Sequence, residues 1–363
     1  MRIIWNSFHG RFSDSPRALW ERLAGRPDIE HCWLADPAHR AAFPAEVTTV
    51  DIASPQAVAL LETADLLVSN THTELEWRKS PRTTYVQTWH GTPLKRIHRD
   101  VLWAPEGRLD RLDRDVAKWD LLLSPNPVST SRLVGAFRYG GEVLESGYPR
   151  NDLLSDPAAE AVGRQVRAGL GIPADATVVL YTPTWRDNEV FADGSPAVPL
   201  MLDVERFSEA LGPDHVLLVR AHNMVTGRSE VARTPHVHDV SYFPDVRDLY
   251  CATDVLVTDY SSTMFDFAVT GRPIVHYAYD LEDFQSSIRG FYFDLLPEAP
   301  GPVVRTTDEV VDVIRDIDAT VAAHADRYQA FRERYTCLED GRAGERVLEQ
   351  LGLLSSTPAT TAC

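Results

Sequence analysis

Long hydrophobic runs are missing from this 363-residue chain. No apolar stretch approaches the roughly 18–20 residues that a membrane-spanning helix needs. The start, Met1-Arg2-Ile3-Ile4-Trp5-Asn6, has the pattern of a short strand and lacks the apolar core and cleavage site of a signal peptide. A cytoplasmic protein is therefore expected. Cysteine is scarce: Cys32, Cys251, Cys337 and Cys363 are scattered, with no CxxC and no Cys/His spacing, which argues against a disulfide framework and a zinc site. Positive charge is in deficit, 36 Lys and Arg against 53 Asp and Glu for a formal charge of −17. That balance argues against broad binding of nucleic acid or anionic lipid, while leaving room for a local basic patch. Internal repeats and low-complexity blocks are absent too. What remains has the apolar and charged fractions of a soluble globular protein, 44% and 25%. Its length suits two domains of middling size.

Short apolar runs alternate with helical patterns along almost the whole chain, as in βαβ units with parallel sheets. Strands are expected at Arg2–Asn6, His31–Ala35, Asp65–Ser69, Thr84–Thr88, Leu121–Ser124 and Glu142–Glu145. A second set is expected at Val178–Thr182, His215–Arg220, Val255–Thr258 and Pro273–Tyr277. The pattern breaks at Gly147-Tyr148-Pro149-Arg150-Asn151-Asp152 and resumes as a helix from Pro157. This places one Rossmann-like domain at residues 1–152 and a second at 153–354, closed by helices at Thr307–Ile317, Ala322–Tyr335 and Arg342–Leu351. A small, polar tail at 355–363 is expected to be disordered. Two doubly wound domains facing a central cleft are the natural architecture.

Ligands of open α/β sheets bind beyond the carboxyl ends of the strands, so polar residues directly after apolar runs are the candidates. His90 follows Tyr85-Val86-Gln87-Thr88-Trp89 and precedes Gly91-Thr92-Pro93, a rigid turn. Arg220 and His222 end the run beginning at Val216, and Ser261 and Ser262 follow Val255–Thr258 and open a helix. A Ser-Ser pair at a helix start offers hydroxyls and free N–H groups to an anion, although plain N-capping uses the same residues. Asp266, one turn further on the same face, can accept hydrogen bonds from ribose hydroxyls. Thr184 and Arg186 add a hydroxyl and a cation after another strand, where an ordinary polar loop around Trp185 is the competing reading. A single histidine in such a turn is more often structural than catalytic. Convergence argues otherwise here, because His90 belongs to the first domain, and Arg220, His222 and the serines to the second. Basic residues are denser around Lys95–Arg99 and Arg108–Arg114; the second run mixes signs, as a solvated helix face does, and the alternative is a patch beside Val101-Leu102-Trp103 that touches a membrane.

Taken together, Gln87-Thr88-Trp89-His90-Gly91-Thr92-Pro93-Leu94-Lys95, Gly147–Asp152, Thr182-Pro183-Thr184-Trp185-Arg186-Asp187 and Thr258-Asp259-Tyr260-Ser261-Ser262 resemble the CDP-glycerol glycerophosphotransferase family. That family holds the primases and polymerases of wall teichoic acid and their relatives in capsule synthesis. The resemblance runs from Ser7-Phe8-His9-Gly10 and Asp14-Ser15-Pro16-Arg17 to Asp340-Gly341-Arg342, with Asn223 as one departure. It implies a GT-B fold and transfer of a polyol phosphate, glycerol phosphate first, from a CDP-activated donor, with no cofactor or metal. It implies that His90 and His222 are the catalytic pair. The diphosphate would lie on Arg220, Ser261, Ser262, Thr184 and Arg186. Asp266, Asp259 and Pro244 of the Val240–Asp245 loop would hold the ribose and cytidine, and Trp89, Gly91 and Lys95 would line the acceptor side. The implied partners are the CDP-polyol, a lipid-linked or polymeric acceptor at the inner membrane face and an envelope-synthesis complex, with no nucleic acid. Two rivals remain: a GT-B glycosyltransferase or epimerase using another nucleotide sugar, and a catalytically dead nucleotide-binding scaffold.

Overall fold

The computed structural model describes residues 1–102, 104, 106–184, 201–221, 236–288 and 290–354. His222, Asn223, Trp103, Trp185, Arg186, Asp187 and the tail from Ser355 lie outside the described residues.

The apolar runs become two parallel sheets. The first contains β1 (Arg2–Asn6), β2 (Glu30–Ala35), β3 (Thr49–Asp51), β4 (Leu66–Ser69), β5 (Thr84–Gln87), β6 (Leu121–Ser124) and β7 (Glu142–Glu145), in the order β3-β2-β1-β4-β5-β6-β7. The second contains β8 (Thr177–Thr182), β9 (His215–Val219), β10 (Val237–Asp239), β11 (Val255–Thr258), β12 (Ile274–Tyr277) and β13 (Val303–Val304), in the order β10-β9-β8-β11-β12-β13. Every central strand is buried on both faces, as with Ile3-Ile4-Trp5 and Val178-Val179-Leu180 at 0% exposure, which is why they read as unbroken apolar runs. Both sheets wind the same way. Each reverses direction between its first and fourth strands, β1 and β4 in one and β8 and β11 in the other, and opens a binding crevice there.

The helices of the first half are α1 (Asp14–Leu23), α2 (Pro55–Thr63), α3 (Arg108–Val116), α4 (Pro127–Phe137) and α5 (Ala158–Gly169). The second half adds α6 (Val204–Leu211), α7 (Val246–Ala252), α8 (Thr263–Phe267), α9 (Leu281–Asp283), α10 (Leu295–Glu298), α11 (Thr307–Arg315), α12 (Ile317–Tyr335) and α13 (Ala343–Gln350). Their starts are set by local chemistry. Ser54 and Asn126 cap helices whose first residue is proline, accepting from Ala57 N and Ser129 N at 3.2 and 2.8 Å. Thr306 and Glu309 form a reciprocal capping box. Among the described residues no helix is long and apolar enough to cross a membrane.

One boundary differs from the sequence reading. Helix α13 does not stay with the second domain: Val347 and Leu348 are buried in the core of the first sheet, beside Ile3, Trp5 and Leu19. The chain crosses between domains at Gly147–Asp152 and crosses back near Leu338–Ala343. The two crossings are bound together. Asp152 accepts from Ala343 N and Gly344 N at 2.8 Å each, capping α13 from a distant segment, and also takes an ion pair from Arg22. Gly147 has a φ of 77° and lies so close to Leu338 O that a Cβ would approach it to 2.7 Å. An amphipathic terminal helix carries no sequence mark of which core it completes.

Candidate active site

The loops after β1, β4 and β5 are stitched together by their own polar residues. Asn6 donates to Ser69 Oγ at 3.0 Å, and the Asn70 side chain donates to Ser7 Oγ at 3.1 Å while accepting from Phe8 N at 2.9 Å. Gln87 accepts from Trp89 N and donates to Thr71 O, both at 2.9 Å. Backbone strain gathers in and beside this mesh of loops. Phe8, His9, Asp14 and Trp89 all have left-handed φ, at 41°, 56°, 62° and 53°, a concentration typical of functional sites.

His90 is the product of that mesh. Its Nδ1 lies 2.5 Å from Asn70 O. A carbonyl only accepts, so Nδ1 carries the proton and Nε2 is left with its lone pair. Burial lowers the imidazole to about 4, against an opposing contribution from that carbonyl and from Asp14, so the ring is neutral at physiological pH. Trp89 lies beneath it, with ring centroids 4.1 Å apart, and itself packs on Phe137 at 4.7 Å. Trp89 is thus the platform of His90 and is not a lining residue of the cleft. The backbone of Lys95 sits in an antiparallel bridge with Phe291, where the two domains meet.

The second wall is built from strand-end hydroxyls. Thr182, Thr258 and Thr263 share a hydroxyl cluster at 3.0–3.2 Å. Asp259 is buried and accepts from Thr184 N at 3.0 Å and Tyr260 N at 2.6 Å, so it and Thr184 shape the turn and neither lines the cleft. A carboxylate directly after a strand is drawn to the unsatisfied N–H groups of its own turn. The following helix, α8, is only five residues long and continues as a 3-10 turn over Ala268–Thr270. Ser262 makes no capping bond there. Gly91 approaches it so closely that a Cβ would lie 2.6 Å from Ser262 Oγ. The two domains therefore touch beside the candidate site.

Between the walls is a cleft with a cavity volume of ≈ 170 Å³. Phe8, Arg11, Asp14, His90 and Arg150 line it on one side, and Thr182, Arg220, Pro244, Ser261, Ser262 and Asp266 on the other. The expected His90, Arg220, Ser261, Ser262, Asp266 and Pro244 are all brought together. Arg220 Nη1 is braced by Val240 O at 3.1 Å and Phe243 O at 2.8 Å. Burial lowers it to about 10, which still leaves it charged.

The cleft floor holds what the sequence reading did not single out. Arg150, 2% exposed, joins Asp14 of the first domain at 3.3 Å to Asp266 of the second at 2.8 Å, and lies 4.2 Å over the Tyr148 ring. Burial alone would lower its pKa, but the two carboxylates outweigh that and raise it. Asp266 also accepts from Asn151 Nδ2 at 3.0 Å, so any ribose hydroxyl must share a carboxylate already in a buried ion pair. Nearby, Arg17 pairs with Asp245 and Asp248 at 3.4 and 3.0 Å, and Arg247 with Glu21 at 2.6 Å. Asp14 and Arg150 lie within quoted motifs, but nothing in their spacing signals a bridge spanning 136 residues. Among the described residues no group of three or more His, Cys, Asp or Glu is arranged to hold a metal.

Two facing doubly wound domains, a neutral imidazole on one wall and hydroxyls with a guanidinium on the other define a GT-B-type transferase that works on an anionic donor. Comparison with known proteins narrows this class. The family model described as CDP-glycerol:poly(glycerophosphate) glycerophosphotransferase matches residues 1–352, and the chain belongs to that family. It is 38% identical over 359 residues to a teichoic acid glycerol-phosphate transferase of Staphylococcus aureus, covering 96% of this chain and 92% of that one. It is 35% identical to a teichoic acid poly(glycerol phosphate) polymerase of Bacillus spizizenii, covering 96% and 91%. A ribitol-phosphate polymerase from the same organism matches only 58% of this chain and 33% of its own length, at 29% identity. The solved wall teichoic acid polymerase TagF superposes with a TM-score of 0.88 at 31% identity, covering 97% of this chain and 88% of that one. A UDP-GlcNAc 2-epimerase of Neisseria meningitidis shares the fold alone, at 14% identity, 97% and 99% coverage and a TM-score of 0.56.

Proposed function

We propose that the protein transfers glycerol phosphate from CDP-glycerol to a hydroxyl of a teichoic-acid-type acceptor and releases CMP. The observation that carries this reading is the juxtaposition of His90 with the Arg220–Ser262 wall in one cleft, within a chain of this family. His90 Nε2 takes the proton of the acceptor hydroxyl. The oxygen attacks the distal phosphorus in line, its new P–O bond forms, and the bond to the CMP phosphate breaks. A loose phosphoryl-transfer transition state asks for positioning and charge stabilisation. Arg220, the Ser261 and Ser262 hydroxyls and His222 supply these on the donor side. A bound diphosphate beside His90 raises the imidazole from its depressed value toward working pH.

The glycerol-phosphate relatives match at higher identity and over more of the chain than the ribitol relative does, and this supports glycerol as the polyol. The reaction runs in the cytoplasm on a lipid-linked acceptor at the inner membrane face, without a metal, because the cleft's own cations and hydroxyls meet the diphosphate charge. The test is mass analysis of products from purified protein, CDP-glycerol or CDP-ribitol, and a lipid-linked glycosyl acceptor, with and without excess EDTA. Added masses of one or more glycerol phosphates, with matching CMP in EDTA, are expected. Ribitol addition alone would refute the donor. Activity lost in EDTA and restored only by a divalent ion would refute metal independence.

A further inference from the structure

We infer that Arg11 is a donor-binding residue that reaches from the first domain to the distal phosphate of the donor, the group that is transferred. This rests on the reading under Proposed function and assigns the part of the site opposite the nucleotide.

Arg11 is held at a fixed point. It follows three left-handed residues, Phe8, His9 and Gly10, at the switch point of the first sheet. Arg11 N and Gly10 N both donate to Ser7 O, at 2.7 and 3.0 Å, and Gly10 O accepts from Asp36 N at 3.0 Å. Gly10 packs so tightly that a Cβ would lie 2.2 Å from Asp36 N. The loop therefore has no freedom to move the side chain elsewhere.

The guanidinium lines the cleft, half-buried, and among the described residues it makes no hydrogen bond or ion pair. Burial lowers its pKa, and the field of Asp36 offsets only part of this. The other arginines here are committed: Arg150 to Asp14 and Asp266, Arg17 to Asp245 and Asp248, and Arg220 Nη1 to two carbonyls. Arg220 is close enough for Arg11 to depress it further, so two cations face one gap, and the carboxylates that also line the cleft, Asp14, Asp266 and Asp245, are already paired with Arg150 and Arg17. A partly desolvated, unpaired guanidinium is unfavourable until an anion fills that gap. Its planar fork suits the equatorial oxygens of a phosphoryl group. Ser261, Ser262 and Arg220 lie on the nucleotide side, and Arg11 shares its wall with His90, so the phosphate it meets is the one His90's alcohol attacks.

The test compares Arg11→Ala, Arg11→Gln and Arg11→Lys with wild type, using calorimetry with CMP and with CDP-glycerol and turnover with acceptor. Arg11→Ala and Arg11→Gln should bind CMP within about twofold of wild type, bind CDP-glycerol about tenfold more weakly, and lose about 10²–10³-fold in kcat. Arg11→Lys should recover part of both losses, because it restores charge without the fork. Arg11→Gln and Arg11→Lys keep the comparison valid if Arg11→Ala melts early. Equal weakening toward CMP and CDP-glycerol, or a kcat within threefold of wild type, overturns the assignment while leaving the proposed reaction intact. A wild-type protein that neither binds nor turns over CDP-glycerol overturns the reaction itself, and the assignment with it.

Discussion

Replacing Gly91 with alanine probes how closely the two walls must meet. Gly91 has no left-handed φ, so alanine strains no backbone and adds only a methyl group. That methyl lies 2.6 Å from Ser262 Oγ and 2.9 Å from Ser262 Cβ, against 3.4 Å for ordinary contact. Rotation of the Ser262 hydroxyl relieves the first contact but not the second, so the walls must part by about 0.5–0.8 Å, and backbone held by the Asn70 and Gln87 mesh resists local relief. Overpacking of this size costs about 1–3 kcal/mol in a rigid core. Two domains that can rotate apart avoid much of it by opening. The penalty then appears in catalysis, where a misplacement near 1 Å costs about 10²-fold. Gly91→Ala should lower kcat by about that factor, with a melting temperature shifted by only a few degrees and CMP affinity nearly intact. A double-mutant cycle isolates the cause. Gly91→Ala/Ser262→Gly removes both atoms in the clash and should be more active than the product of the single effects predicts. A Gly91→Ala enzyme with near-normal turnover, or a cycle that is merely additive, would refute the claim that catalysis needs the walls at this separation.

Two further predictions concern charge. kcat/KM reports the free enzyme, and with His90 at about 4 and active when neutral, its acid limb should fall well below the 6.5 of an ordinary histidine. Stability should decline over the same window as pH drops from 6.5 toward 4, because the unfolded chain takes up the proton first. An acid limb at 6.5 or higher that is absent in His90→Gln contradicts the burial argument. Arg150→Met should destabilise by about 3–5 kcal/mol in denaturant titration, since it strands Asp14 and Asp266, and Asp14→Asn/Arg150→Met/Asp266→Asn should recover most of that. A loss under about 1 kcal/mol for Arg150→Met would show that the bridge behaves like an exposed pair.

The sequence made the central strands legible to within a residue, because a strand buried on both faces has to be continuously apolar. β3, β10 and β13 were missed. They are edge strands of two or three residues, half of each solvated, and nothing in Thr49-Val50-Asp51 or Val303-Val304 separates them from loop. The strand-end rule found His90, Arg220 and the serine pair, since it depends only on local order along the chain. It could not tell that Thr184 and Asp259 bond to each other in their own turn, because a strand-end polar group faces either ligand or its own turn. The ion-pair floor of Asp14, Arg150 and Asp266 and the unpaired Arg11 were invisible for a different reason. Each is defined by a partner, or by the lack of one, among residues remote in the chain.

The return of α13 to the first domain sets the order in which the protein is completed during synthesis. Val347 and Leu348 fill the core under β1, and Asp152 needs the amides of Ala343 and Gly344. The first 152 residues leave the ribosome with that apolar face uncovered, and it stays uncovered while the second domain is made. Neither domain is a free-standing cassette. A chain cut before α13 loses the lid of its N-terminal core, and transplanting the second domain alone onto a foreign first domain would leave a helix without its socket.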